Sequence, residues 1–293
     1  MNITTSSQSP IILFCDAIFY FVMQYDLFGP VPRRWAKQSM LNYVGGKSRA
    51  KHIIRHYFPK ELTSMVSPFF GGGHIEIACA FDNIQVHGYD LYDDLVNFWQ
   101  QLQTQPEAMS RIASRYIPMT RDKFNYLRSE YYPTITDLVE KATIFWIVHK
   151  VSYLGGGFTS VGYQSTLKGE SNLTTQQITK LSEFYNPNFS VNKADFEESL
   201  ANHPNDFTYL DPPYLLSWSK FYGHKGSMHK TFNHRRLRDI LHARDNWILS
   251  YNNCAEIRHL YSDYRQEFPV WAYGTTLDPN GNEILIINLE SDK

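Results

Sequence analysis

Four consecutive residues, Asp211-Pro212-Pro213-Tyr214, carry the clearest chemical promise in this chain. They follow Phe207-Thr208-Tyr209-Leu210, an apolar-leaning run that reads as a buried strand ending in an acid. Two prolines stiffen the turn and lack backbone N–H groups, so their carbonyls and the Asp211 carboxylate form an acceptor-rich edge. Tyr214 adds an aromatic face on which a planar ring can stack. Such an edge suits chemistry on an amino group attached to a flat ring. Asp and Pro are also ordinary turn formers. At average residue usage the tetrapeptide should arise by chance in roughly one chain of this length in a thousand.

A second group lies upstream. The segment Thr63–Phe70 reads as a strand and runs into Gly71-Gly72-Gly73, with an apolar helical stretch, His74 to Phe81, behind it. Glycine lets a ligand approach the backbone closely, and Phe69 stands at the entrance to the turn. Gln85 to Asp90 reads as the next strand, with its acid at the carboxyl end. There a carboxylate can accept the two ribose hydroxyls of a nucleoside. The glycines match neither G-x-G-x-x-G nor the P-loop, so the expected ligand is a nucleoside without phosphates, of which S-adenosylmethionine is the obvious candidate. Asn42-Tyr43-Val44-Gly45-Gly46-Lys47 precedes the first strand. Lys47 is expected to meet the carboxylate of a methionine moiety there, and Tyr43 to pack against the cofactor.

These groups need a scaffold. Strand, glycine turn, helix and strand at the start imply an α/β fold with a doubly wound, Rossmann-like parallel sheet. A helix is expected over Leu95–Leu102. Residues 104–188 break the rhythm with helical patterns at Thr120–Tyr131 and Ile135–Val151 and a polar, glycine-containing stretch, Gly155–Asn172. They read as an inserted, mainly helical domain. The α/β rhythm resumes near Phe189 and continues through a helix at His234–Ala243 and a strand at Trp247–Tyr251. Paired closing strands are expected at Phe268–Tyr273 and Glu283–Leu289, joined through Asp278-Pro-Asn-Gly. The catalytic domain therefore comprises 40–103 and 189–293, and 1–39 is an N-terminal extension. Within it, Ile11–Tyr25 is apolar but holds Asp16 and is too short to span a bilayer. Met40 is a plausible alternative start.

With 293 residues and a net charge of −1, the chain has no global basic field, so a nucleic-acid surface must come from local clusters. One runs from Arg33 to His56 without a single acid. The other spans Lys220–Arg244 with only Asp239 against it, and Lys220, Lys225, Lys230, Arg235 and Arg236 are its candidate DNA contacts. Cys15, Cys79 and Cys254 are too far apart for metal-ligand spacing. They point to a reducing compartment, and no metal is expected.

In this order the segments resemble the Dam-like, D12-class adenine-N6 DNA methyltransferases of the α group. The resemblance covers roughly residues 40–290. It rests on Tyr43-Val-Gly-Gly-Lys47, Pro68-Phe-Phe-Gly-Gly-Gly73, Asp90, Ala194-Asp195-Phe196, Asp211-Pro-Pro-Tyr214, Ser250-Tyr-Asn-Asn253 and the closing strand Asn282-Glu-Ile-Leu-Ile-Ile-Asn. It implies a methyltransferase sheet whose insertion recognises the DNA target. Tyr43, Lys47 and Asp90 would contact S-adenosylmethionine, Asp195 and Phe196 would flank its adenine, and Asp211 would lie between cofactor and a flipped-out base. The chain departs from the family in the insertion, where Leu154-Gly-Gly-Gly-Phe-Thr-Ser-Val-Gly-Tyr-Gln replaces an Asn- and Arg-bearing hairpin. No arginine lies between Arg128 and Arg235, although arginine on guanine edges is the commonest direct contact. Gln164, Lys150, Lys168 and Thr159 are the candidate readers. The implied partner is double-stranded DNA containing a target adenine. A monomer in the cytoplasm at the nucleoid, with a restriction endonuclease as companion, completes the expectation. Rival readings keep the chemistry but change the acceptor to cytosine N4, RNA adenine or a glutamine amide, or make the chain a silent DNA-binding relative.

Overall fold

The computed structural model describes residues 38–160, 162–164, 173–215, 232–269 and 283–290. A short helix α1 (Lys51–His56) leads into strand β1 (Ser64–Ser67), helix α2 (His74–Phe81), strand β2 (Gln85–Asp90) and helix α3 (Asp93–Thr104). Helices α4 (Pro106–Ser114), α5 (Arg121–Tyr126), α6 (Leu138–Val151) and α7 (Thr175–Ser182) follow. Then come β3 (Phe189–Lys193), α8 (Phe196–Asn202), β4 (Thr208–Leu210), α9 (His234–His242), β5 (Trp247–Asn252), α10 (Ala255–Leu260), β6 (Arg265–Glu267) and β7 (Glu283–Asn288).

The strands form one sheet in the order β3-β2-β1-β4-β5-β7-β6. The first five are parallel, and β7 runs antiparallel between β5 and β6. Parallel strands are buried on both faces, and the residue pattern fits that need. Thr208, Tyr209 and Leu210 are all buried, as are Ile284 to Ile287. Their period-2 alternation sorts the side chains into two cores. Tyr209, Ile248, Leu285 and Ile287 face one, while Leu210, Leu249, Ile284 and Ile286 face the other.

The first core extends well beyond the sheet. Phe98 and Trp99 of α3, Trp146 and Phe145 of α6, and Ile178 and Leu181 of α7 belong to it. The described helices of 104–188 thus continue the core of the sheet, and the described residues fall into one compact unit. Local signals set their ends. Asp137 caps α6 by accepting the Glu140 N–H at 2.8 Å, and Thr174 and Gln177 form a capping box on α7. The expected helix at Thr120–Tyr131 starts as α5, capped by Thr120, and relaxes into a π-helical turn over Leu127–Tyr131.

One expectation needs correction. The partner of β7 at the sheet edge is β6, Arg265–Glu267, a few residues before the expected strand at 268–273. Phe268 and Pro269 are irregular, and 270–273, together with the turn at Asp278-Pro-Asn-Gly, lie outside the described residues. Among the described residues the pairing stops short of Pro269, which lacks the ladder donor.

Parallel order reverses at β1, which has β2 on one side and β4 on the other. The crevice beyond the carboxyl ends at such a switch point is where open α/β sheets bind ligands. Trp99 supports it from below, donating from Nε1 to the Gly71 carbonyl at 3.0 Å and packing edge-on against Phe70. Trp99→Ala should cost about 3–5 kcal/mol of stability, as a buried aromatic truncation does. A urea midpoint indistinguishable from that of the parent chain would show that the crevice is not held from this side.

Candidate active site

The crevice opens into a cleft with about 770 Å³ of open space, lined by Tyr43 to Lys47, Phe69 to Glu76, Asp90, Tyr92, Tyr209 and Asp211 to Tyr214. Its glycine wall comes from the loop between β1 and α2. Gly73 sits in the left-handed region (φ 61°), and a Cβ there would stand 2.6 Å from Phe70 Cε1. The loop before α1 packs against this wall. A Cβ on Gly46 would run into the His74 ring, and one on Gly72 would stand 2.8 Å from the Tyr43 Cβ. Two glycine-bearing loops therefore close on each other with backbone exposed to the cleft.

Asp90, at the end of β2, accepts N–H groups from Gly71 and Tyr92, each at 3.0 Å. Burial pushes its carboxyl up from the ordinary value, and those two donors oppose the rise. On the other side of the cleft Asp211 leaves β4. Lys47 Nζ reaches its two oxygens at 2.8 and 2.7 Å, and Glu283 Oε1 of β7 lies 3.6 Å from the same nitrogen. Lys47 and Glu283 are 4% and 3% exposed and Asp211 21%, so the acid alone faces the opening. Burial alone would lower the Lys47 pKa. The Asp211 and Glu283 charges outweigh it and hold the ammonium above its ordinary value. Burial raises Asp211, and Lys47 opposes that shift. A bidentate contact this short keeps the pair ionic.

The sequence-expected residues fall into three groups. Tyr43, Lys47, Phe69, Gly71, Gly73, Asp90 and Asp211-Pro212-Pro213-Tyr214 come together on the cleft. Asp195 and Phe196 do not line it. Asp195 caps α8 by accepting the Glu198 N–H at 2.8 Å, and Phe196 stacks on the outer side of Phe69 at 5.9 Å. Among the DNA candidates, Arg235 is exposed, whereas Arg236 is engaged with Glu197 through two bonds of 2.9 and 2.8 Å. Lys150 donates to Asn42 at 3.3 Å, and burial lowers it to about 8. Gln164 is half-buried and pairs its backbone N–H with Val151 at 2.8 Å. Lys168, Lys220, Lys225 and Lys230 lie outside the described residues.

The structure adds groups that the sequence reading passed over. Glu76 is buried on the cleft wall, accepts from Ser67 at 2.8 Å and is pushed by burial to about 7. His74 is lowered to about 4 by burial, with Lys47 and Lys51 adding to the shift, and its Nδ1 is buried without a hydrogen-bond partner among the described residues. A lone acid at the start of an otherwise apolar helix was the available signal for Glu76. Among the described residues no three His, Cys, Asp or Glu side chains form a metal-binding group, and no helix is long and apolar enough to cross a membrane.

The Glu76 shift has a sign that can be measured. Its folded value, about 7, lies above the ordinary 4.5, so the protonated form favours the fold. That contribution is complete below about pH 4.5 and fades as pH rises through about 7. Glu76→Gln, which stays neutral, should therefore lose up to about 3 kcal/mol less stability than the parent between pH 5 and 8. Parallel pH profiles in chemical denaturation would exclude a protonated Glu76.

Known proteins match the sequence of this region. The family model for D12 class N6 adenine-specific DNA methyltransferases matches residues 43–275, which takes in the Tyr43–Lys47 loop, the glycine wall, Asp90 and the Asp211 turn. The chain is 25% identical to the DNA N-6-adenine-methyltransferase of Escherichia phage P1 over 78% of its own length and 31% of the phage protein. It is 24% identical to the DNA adenine methylase of Vibrio cholerae, over 70% of this chain and 76% of that one. Modification methylase StsI of Streptococcus sanguinis is 24% identical over 83% of this chain and 39% of its own. The chain thus spans about a third of the phage relative and most of the Vibrio one. With the match running through both walls of the cleft, the chain belongs to the D12 class of N6 adenine-specific DNA methyltransferases.

Proposed function

We propose that the chain transfers a methyl group from S-adenosylmethionine to N6 of an adenine flipped out of DNA. One observation carries this reading: the Asp211-Pro212-Pro213-Tyr214 turn and Asp90 line the same cleft. The cleft's chemistry fits that cofactor. Among the described residues that line it, Lys47 is the only Lys or Arg, and two carboxylates already hold it. Phosphates would lack a counter-charge there, whereas a nucleoside carrying a sulfonium would not need one. Asp90 offers its remaining lone pairs to a ribose, and the glycine wall leaves room beside it.

Bound there, the cofactor supplies an electrophilic methyl group. The chain's part is positioning and electrostatics. The Asp211 carboxylate and the Pro212 carbonyl accept the two N6 hydrogens and draw that nitrogen out of conjugation, which localises its lone pair. Lys47 keeps Asp211 ionised for this task. Tyr214 stands behind the acid, 5.0 Å from the Lys47 nitrogen to the ring centre, and offers a face to the extruded base.

Residues 104–188 are proposed to read the target sequence. Their helices share the sheet's core, which would hold a reading surface rigidly against the cleft. Residues 1–39 are proposed as an extension outside the catalytic unit. Arg235, with Lys220, Lys225 and Lys230, is proposed to grip phosphates, and Lys150 and Gln164 to approach the bases. A relative named as a modification methylase supports extending the proposal to a restriction–modification role.

Asp211→Asn should lower methyl transfer by roughly a hundredfold to a thousandfold, as removal of a preorganised electrostatic group does, while calorimetry still detects S-adenosylmethionine binding. Transfer at the parent rate would refute the acceptor role. Arg235→Ala should weaken DNA binding at low salt and reduce the salt slope by about one. Arg236→Ala should change it less, because Glu197 already neutralises that side chain. Equal slopes for all three proteins would move the phosphate surface elsewhere.

A further inference from the structure

Glu283 is the first residue of β7, opposite Asn252 of β5, and it is buried in the wall behind Asp211. Its Oε1 lies 3.6 Å from Lys47 Nζ, the same nitrogen that Asp211 grips at 2.7 and 2.8 Å. One ammonium therefore bridges two carboxylates of unequal exposure. Asp211 faces the cleft, and Glu283 does not.

We propose that Glu283 is a positioning residue, the reserve counter-charge that keeps Lys47 paired while Asp211 takes up the proton released from N6. The inference rests on the reading of Asp211 as the acceptor for the adenine amine. The proton balance requires some such device. When N6 bonds to the methyl carbon, the electron pair of the breaking carbon–sulfur bond stays on sulfur, and N6 becomes cationic with one hydrogen to lose. That proton passes to the nearest acceptor, an Asp211 oxygen. Asp211 is then neutral, and Lys47 would be a buried ammonium without an ionised partner, a costly arrangement. Glu283, already beside it, supplies the missing charge. Asp211 returns its proton to solvent through the open side of the cleft, and the site is restored. Nothing is oxidised or reduced.

The surroundings agree. Glu283 faces Lys47 from the loop before α1, and Asp211 and Tyr214 from the turn after β4. Burial pushes its carboxyl to about 7, which Lys47 opposes and Asp211 reinforces. Glu76 of α2 faces Asp211, and Tyr209 of β4 faces Lys47. The folded value of Glu283 lies above its ordinary one, so its ionised form is lost as pH falls through about 7. Turnover should fall with it.

The experiment is single-turnover methylation of DNA by the full chain between pH 6 and 8.5, with calorimetry of S-adenosylmethionine binding alongside. The parent should slow below about pH 7. Glu283→Gln should be slower by about a hundredfold, show no such limb, and bind the cofactor within about threefold of the parent. Glu283→Asp should recover part of the rate and keep a limb, and it carries the test should the Gln variant fail to fold. A Glu283→Gln protein with the parent's rate and limb overturns the inference, as does a limb that vanishes in Glu76→Gln but persists in Glu283→Gln. A parent chain that methylates no adenine overturns the acceptor reading and the inference with it. A parent that does so, with an unaffected Glu283→Gln, overturns the inference alone.

Discussion

The ion pair between Lys47 and Asp211 fixes this molecule. It joins residues 164 positions apart, one in the loop before α1 and the other at the carboxyl end of β4. Taking both charges out of water is expensive and is offset only where the geometry is held closely. Much of the architecture serves that requirement. The glycines of the two loops leave the space that the His74 ring and the Tyr43 side chain fill, so the loop that carries Lys47 packs closely on the glycine wall. Glu283 adds a second carboxylate from the antiparallel strand. The switch in strand order at β1 places the crevice beside β4 in the first place.

The pair also decides what the cleft can hold. A lysine beside a nucleoside site would ordinarily invite phosphate. Here its charge is spent within the protein, and the acids among the described lining residues are Glu76, Asp90 and Asp211. Such a cleft favours a ligand with positive charge and ribose hydroxyls. It also leaves an ionised acceptor at the opening, where an amino group can meet it. On the proposed function, cofactor choice and acceptor activation trace to one interaction.

Much of this was legible in the sequence, because the relevant signals are local. Asp211-Pro-Pro-Tyr follows the end of β4 and lines the cleft, and the glycine turn before Asp90 lies in a strand-helix-strand unit. The Trp247–Asn252 and Glu283–Asn288 strands were plain from their apolar runs. What escaped was long-range. The partner of Lys47 is set by topology, and the expected contact with a cofactor carboxylate gave no hint of Asp211. Asp195 reads as a ligand contact by resemblance, yet its local role is to cap α8. Glu76 and Glu283 each sit at the head of an apolar run, where a charge looks like an edge residue until the packing buries it. Arg265–Glu267, which pairs with β7, carries charged and polar residues and gave no strand signal, while most of the expected strand at 268–273 lies outside the described residues.

The most direct test is modified-base sequencing of DNA from cells that express this chain. Methylation at adenine N6 within one short, fixed sequence is the expected result. Methylated cytosine N4, or no modified base in cells that contain the folded protein, would contradict the account.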